Sequence, residues 1–386
     1  MLDVEAIMRP WWDRLRDELG DVALYDAHTH VGADDPDGVK QTPAELLAKL
    51  ESASARAVVF AMHEPAGYPP ANDRVLEAAA GSGGRLVAFC RVDPRVDAVA
   101  EARRCLDAGA RGIKLHPRAE QFTLSEPAVR ELVALAHERR VPVLIHAGRG
   151  IPALGRDTVR LSGEFPGARL ILAHAAISDL AWLWRVLPDH PNLLIDTAWW
   201  DPADMMALFT LVPPGNILWA SDSPYGLPLT SAVMHLRLAV QAGLGADAIR
   251  TIAGAQIERL LDGGDPIDAG PAPGRPRPID PLLERVVSHA AQAVARTFGQ
   301  GDPSEPVALA KLSCGVGEDS EHAEVFAAVL DLLETYEENI GDVPEGARIP
   351  PAARLLLAAL TVARTPDVAL PDLPDAPPPT REEAER

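Results

Sequence analysis

The sequence predicts an α/β protein: a (β/α)8 TIM barrel over residues 1–262, followed by a smaller all-α C-terminal module. Three observations predict it. Between residues 22 and 222, eight short apolar runs alternate with stretches of helical periodicity. Most runs are continuous Val, Ile, Leu and Ala, without strict apolar–polar alternation, as expected of strands covered on both faces. After Leu261 the texture changes to a proline-rich stretch and then to amphipathic helical patterns.

In order, the strand candidates are 22–30, 57–63, 86–93, 112–116, 141–146, 170–174, 193–196 and 217–222. Between them, 98–108, 126–139 and 178–187 carry apolar residues at helical spacing. Eight strand–helix repeats over roughly 240 residues suit a closed barrel. An open doubly wound sheet would need a glycine-rich phosphate turn after its first strand, and none is present.

Residues 263–280, with Pro271, Pro273, Pro276 and Pro278, read as a stiff proline-rich linker. Residues 281–365 form the helical module, with helices expected at 281–298, 321–339 and 352–363. A disordered acidic tail is expected over 366–386. The region 265–386 carries 22 Asp and Glu against 10 Lys and Arg, a net of −12, and shows no catalytic constellation. Its expected role is self-association or binding of a protein partner, with a lid over the barrel mouth as the alternative.

Composition excludes several function classes. A hydrophobic content of 47% describes a globular chain, yet no stretch is long and apolar enough to span a bilayer. A net charge of −20 argues against nucleic acid as a partner, because phosphate affinity needs clustered Lys and Arg. Three scattered cysteines (Cys90, Cys105 and Cys314) make neither a disulfide framework nor a zinc finger. The opening Met1-Leu2-Asp3-Val4-Glu5 lacks a basic-then-apolar export signal, so a cytoplasmic location is expected. The expected partner is a small-molecule substrate.

The chemistry lies at the strand ends. Six of the eleven histidines end apolar runs, as does Asp222. In Asp26-Ala27-His28-Thr29-His30 the His-X-His spacing points His28 and His30 to one face, where two imidazoles can grip one divalent ion. Lys114 and His116 end strand four, His146 strand five, His174 strand six and Asp222 strand eight. A single strand-end histidine more often caps a loop than binds a ligand. His28, His30, His146, His174 and Asp222 converging on one barrel axis, at the end where these folds build active sites, point instead to a shared site.

These phrases resemble the amidohydrolase superfamily, and locally its amidohydrolase-2 branch: Asp26-Ala27-His28-Thr29-His30, Gly112-Ile113-Lys114-Leu115-His116-Pro117, His146-Ala147-Gly148, Ala173-His174-Ala175 and Ser221-Asp222-Ser223-Pro224. They span about 22–262 and none of the C-terminal module. One departure is Gly254-Ala255-Gln256, where the family often has an asparagine. The resemblance implies a metal-dependent hydrolase of a small molecule, with non-oxidative decarboxylation of an aromatic or unsaturated carboxylic acid as the alternative. It implies that His28, His30, His146 and Asp222 hold one divalent metal ion, Zn²⁺ being expected, with Mn²⁺ or Fe²⁺ suiting the same donors. A metal-activated water would attack a C–N or C–O bond, Asp222 serving as general base and acid and His174 stabilising the oxyanion.

Strand four stays open. Lys114 is expected either to contact a substrate carboxylate or, carboxylated, to bridge a second metal with His146 and His174. His116 is expected in substrate binding or in capping its loop. His63 is expected at the mouth or exposed, and Arg91 and Arg149 on an anionic substrate or paired with structural carboxylates. Trp199 and Trp200 are expected in an aromatic wall or in the core. Asp26 is expected to orient a ligand histidine, and Asp196 to be structural or to support the ligands from behind.

Overall fold

All eight strand candidates are strands in a computed structural model that describes residues 2–275, 278–341 and 350–372. They are β1 (Tyr25–Val31), β2 (Arg56–Ala61), β3 (Leu86–Ala88, resumed as Cys90–Arg91), β4 (Ile113–Leu115), β5 (Pro142–Ile145), β6 (Arg169–Leu172), β7 (Leu193–Asp196) and β8 (Ile217–Leu218). Each pairs in parallel with the next in sequence. The third strand is interrupted at Phe89, whose N–H still donates to the Val59 carbonyl (2.9 Å). Closure comes from Ala27 N to Trp219 O (3.1 Å), His30 N to Ser223 O (2.8 Å) and a parallel bridge between Thr29 and Ser223. The sheet therefore has no free edge.

The expected runs overshoot the ladders at their C-terminal ends. His63, Asp93, His116, His146, His174 and Asp222 all lie beyond the last paired residue of their strands. Of these, His63, His116, His146, His174 and Asp222 line the barrel mouth.

Side-chain alternation sorts the barrel into two layers. Val58, Phe60, Leu144, Ile171, Leu194 and Leu218 form an inner cluster, while Val59, Val143, Ile145, Leu170, Leu172, Leu193 and Ile195 pack outward under the helices. By the same parity Lys114 and Asp196 point inward. β1 needs one more device. Its register with β2 slips between Asp26 and Thr29, so one extra residue swings the chain from Tyr25 facing inward to His30 facing inward opposite Phe60.

The helices covering the barrel are α2 (Pro43–Ser52), α3 (Pro69–Gly81), α4 (Ala98–Asp107), α5 (Pro127–Arg139), α6 (Leu154–Glu164), α7 (Leu180–Leu183), α8 (Pro202–Leu211), α9 (Pro228–Gln241), α10 (Ala246–Arg250) and α11 (Gln256–Leu261). Five of them start on proline, which lacks the N–H that a first turn leaves unpaired. Thr42 and Glu45 close a capping box on α2. An N-terminal helix, α1 (Val4–Leu19), buries Met8, Trp11, Trp12, Leu15 and Leu19 at helical spacing and packs on α9.

The module has four helices among the described residues: α12 (Pro281–Phe298), α13 (Ser304–Ser313), α14 (Ala323–Asn339) and α15 (Ala353–Arg364). Three match the sequence reading. α13 shows no stripe because its apolar residues are spread round the helix, with Leu309 and Leu312 facing solvent. α15 is buried almost throughout, lying between α8 and α9 of the barrel and α12 and α14 of the module. It fixes the module to the barrel.

The linker also holds to the barrel. Gln256 accepts from Ile267 N (2.9 Å) and donates to the Gly215 carbonyl, and Gly274 N donates to Thr210 O (2.9 Å). Residues 366–372, expected in the disordered tail, are instead folded. Buried Arg237 donates to Ala369 O (2.7 Å), Thr365 O (3.3 Å) and Val368 O (3.2 Å), and Gln241 bonds Asp367 twice. A single buried guanidinium collects three carbonyls that composition alone does not reveal. Residues 276–277 of the linker and 373–386 of the tail lie outside the described residues.

Candidate metal centre

β1 and the turn after β8 bring three electron-pair donors together. His28 Nε2 lies 3.1 Å from His30 Nε2 and 3.2 Å from Asp222 Oδ1, and His30 Nε2 lies 3.1 Å from the same oxygen. All three ligand atoms lie within 4.8 Å of one another. Asp222 is locked to β1 by its N–H on the His28 carbonyl (3.0 Å) and takes a left-handed backbone at φ 60°. Such conformations gather at functional sites, and His174, Ala175 and Ala176 (φ 57°, 55° and 48°) form a second instance across the mouth.

The donor set fits a divalent ion. His28 Nδ1–H donates to Asp196 Oδ2 (2.8 Å), so neutral His28 leaves Nε2 bare. A proton satisfies one pair of such donors at a time, whereas a cation satisfies all three. Separations of 3.1–3.2 Å also approach the edge of a tetrahedral shell, about 3.3 Å for metal–ligand bonds of about 2.0 Å.

Asp196 does more than the sequence suggested, and Asp26 does it differently. Besides orienting His28, Asp196 accepts through Oδ1 from His174 N (2.9 Å) and Ala198 N (3.0 Å), so one carboxylate ties β1, β6 and β7 at the site. Asp26 touches no imidazole. Its Oδ1 accepts from the backbone of His28 and Ser221 (both 3.0 Å), pinning the strands that carry the donors.

His146, the fourth expected ligand, is not gathered into the triplet. His174 Nδ1 is 2.6 Å from the Ala198 carbonyl and must donate there, leaving His174 Nε2 to accept from His146 Nδ1–H (2.9 Å). The two rings satisfy each other, and His146 Nε2 is left buried without a partner. Gly148 is required beneath it, since a Cβ there would stand 2.6 Å from that nitrogen. His116 stacks on His146 (3.8 Å, 11°) and accepts from Ala119 N through Nδ1 (3.1 Å), so it caps its loop and lines the mouth as well. Lys114 is fully buried, with Nζ 3.4 Å from His28 Nε2 and 4.7 Å over the Phe60 ring.

Burial governs the electrostatics. It pushes Asp222 up to about 6 and Asp26 and Asp196 up to about 7, and pulls Lys114 down to about 7. Burial first, with Lys114 adding to it, depresses His28 and His30 well below the usual imidazole range; burial and the neighbouring His174 do the same to His146. Neutral imidazoles beside an inward carboxylate are the protonation states a cation needs.

Two chambers open on this centre. The first, of about 520 Å³, is lined by His28, His30, Lys114, His116 and Asp222, with His63 at its mouth. Arg91 reaches the same chamber but is committed to buried Glu120 (2.7 Å) and the Ala61 carbonyl (3.3 Å). The second, of about 340 Å³, shares His146, His174 and Asp222 and runs along Trp199 and Trp200. Glu120, which holds Arg91, and Tyr225, whose ring meets His30 edge-on (5.7 Å) and lines both chambers, were missed in the sequence because nothing in their spacing marks them. Asp196 ended a strand with inward parity, and that signal was readable.

The family model described as Amidohydrolase matches residues 25–262. Among solved structures, the chain is similar to a 5-carboxyvanillate decarboxylase from Sphingomonas paucimobilis (17% identity, 63% of this chain and 99% of that one, TM-score 0.50). It is similar to a 2,6-dihydroxybenzoate decarboxylase from Rhizobium (14%, 63% and 99%, TM-score 0.51) and to an uncharacterised TIM-barrel protein from Bordetella bronchiseptica (17%, 63% and 99%, TM-score 0.50). At these identities the likeness is one of fold. No curated protein matches the chain.

Proposed function

The chain belongs to the amidohydrolase family matched over residues 25–262, and on that premise we propose that it is a metal-dependent hydrolase of a small molecule. The observation that carries this reading is the convergence of His28 Nε2, His30 Nε2 and Asp222 Oδ1 within 3.2 Å at the barrel mouth. His146, whose buried Nε2 has no partner, is the proposed fourth ligand. A bound Zn²⁺ would supply Lewis acidity and lower the pKa of a coordinated water toward neutrality. Asp222 takes a proton from the attacking water and returns it to the leaving atom, a role served by a carboxyl that burial lifts to about 6. His174, held by its Nδ1–H on the Ala198 carbonyl, is the group proposed to stabilise the developing oxyanion. Lys114 and His116 meet an anionic part of the substrate.

A second reading, decarboxylation of an aromatic or unsaturated carboxylic acid, is favoured by Lys114, a buried cation beside the donor triplet that suits a carboxylate. Two of the fold neighbours are named decarboxylases. There the carboxylate leaves as CO2 while an acid of the site protonates the carbon.

Metal equivalents per chain test both. About one equivalent, lost in His146→Ala and kept in Lys114→Ala, supports the mononuclear site, and release of CO2 from aromatic acids then selects the second reading. Two equivalents, falling in Lys114→Ala, mean a carboxylated lysine bridging a second ion. No metal retained by reconstituted protein overturns the reading. Among the described residues no helix is long and apolar enough to cross a membrane. A cytoplasmic location, and association through the acidic C-terminal helices, belong to the proposal.

A further inference from the structure

The family match ends at residue 262, yet residues beyond it reach the site. One side of the second chamber is made by His146, His174 and Asp222. The facing side is made by Phe298, the last residue of α12, and by Ala353, Arg354 and Leu357 on α15. Phe298 stacks on Trp200 (5.0 Å, 12°), Trp200 lies against Trp199 (5.5 Å), and Trp199 stands 6.4 Å from His174. An aromatic row thus runs from the module to a histidine of the metal centre. Leu357 and Met234 add buried apolar surface.

The polar atoms of Trp199 are engaged by neighbouring side chains. Trp199 Nε1 donates to Asp204 (2.7 Å), and the Trp199 carbonyl accepts from His235 (3.0 Å). What faces the space is ring surface, which suits a planar apolar group. Cations stand round it. Arg354 is half-buried and held on the Tyr225 carbonyl (3.3 Å), while Arg118 and Arg149 make no hydrogen bond or ion pair among the described residues.

We infer that the C-terminal module is part of the substrate site: α12 and α15 wall a pocket for a planar apolar group bearing an anionic substituent. The ring sits between Trp199, Trp200, Phe298 and Leu357, and the anion meets Arg118, Arg149 and Arg354. The reacting end is directed at His174 and Asp222, which rests on the metal-site reading above.

The test uses the full chain, with and without Zn²⁺, and 2-naphthoate as the probe, followed by tryptophan quenching and calorimetry, with acetate as control. Saturable binding of 2-naphthoate far exceeding that of acetate is expected. Phe298→Ala should weaken it several-fold and Leu357→Trp, which fills the pocket, about tenfold or more, since an aromatic contact approaches the 1.4 kcal/mol of a tenfold change. Zn²⁺ affinity should stay at the wild-type value in Phe298→Ala at a temperature where the variant is folded, which keeps the test valid if Leu357→Trp folds poorly. Affinity for 2-naphthoate within twofold of wild type in both variants, or no binding at all, overturns the inference even where Zn²⁺ is retained. Loss of Zn²⁺ binding with variant-sensitive 2-naphthoate binding leaves the pocket standing and sinks the metal reading.

Discussion

Asp196→Asn separates orientation of the metal centre from its composition. The carboxylate serves three donors: His28 Nδ1–H at 2.8 Å and the backbone N–H groups of His174 and Ala198 at 2.9 and 3.0 Å. An asparagine has one acceptor oxygen and one donor amide. Turning the oxygen to His28 sets the NH2 against two backbone donors. The amide will therefore keep its oxygen on the backbone and face His28 Nδ1 with a donor. His28 must then carry its proton on Nε2, the atom aimed at His30 and Asp222, and that tautomer cannot bind a cation. Restoring the ligating tautomer forfeits a hydrogen bond to a charged acceptor, about 1.5–3 kcal/mol, or roughly 10- to 100-fold in metal affinity. Zn²⁺ affinity of metal-free protein, titrated against a chromophoric chelator, reads this directly, with thermal unfolding of the metal-free forms as the control for folding. Affinity within threefold of wild type, in a variant that folds normally, would refute the orienting role of Asp196.

Three further outcomes follow from buried groups. His235 is held neutral by burial, with its pKa lowered to about 4, so the unfolded chain binds a proton between about 6.5 and 4 that the fold refuses. Stability contributed by His235 is present above pH 6.5 and is lost as pH falls toward 4, amounting to roughly 3 kcal/mol. His235→Gln, which keeps a donor for the Trp199 carbonyl, should narrow the gap between denaturation midpoints at pH 4 and pH 7, and an unchanged gap would remove His235 as a cause. Arg237→Met strands the carbonyls of Thr365, Val368 and Ala369, so urea denaturation should show a loss of roughly 3–5 kcal/mol, with faster proteolysis near 365–372; a change below 1 kcal/mol would mean water replaces the guanidinium. Gly148→Ala drives a methyl against His146 Nε2, so Zn²⁺ affinity should fall about tenfold and unfolding should shift by about 1–3 kcal/mol; unaltered affinity in the folded variant would exclude His146 as a ligand.

Much of this was readable in order along the chain. Continuous apolar runs ending in His28, His30, His146, His174 and Asp222 mark both the strands and the end of the barrel where chemistry gathers, because a parallel strand covered on both faces has no other place for polar groups. Asp196 shows how far parity goes: two residues after inward-facing Leu194, it had to point inward, and what it would hold there was not specified. Strand ends were placed too far along, since an apolar run does not say where hydrogen bonding stops.

Other features depend on residues far apart in sequence. The slip between Asp26 and Thr29 sets which face His28 and His30 take, and only pairing with β2 defines it. His146 finds His174, and Arg237 folds residues 366–372, through contacts that local spacing does not encode. The module shows the division most plainly. Its helices follow from periodicity, but α15 is buried on nearly every side, and such a helix names no partner until packing supplies one. The sequence by itself determined a barrel, its chemical end and a helical appendix, because those rest on short continuous apolar runs, the polar residues that end them, and a helical period near four. Tertiary structure alone decided that the appendix lies against the mouth and walls the second chamber, because burial of α15 against α8 and α9 is a contact between surfaces more than a hundred residues apart.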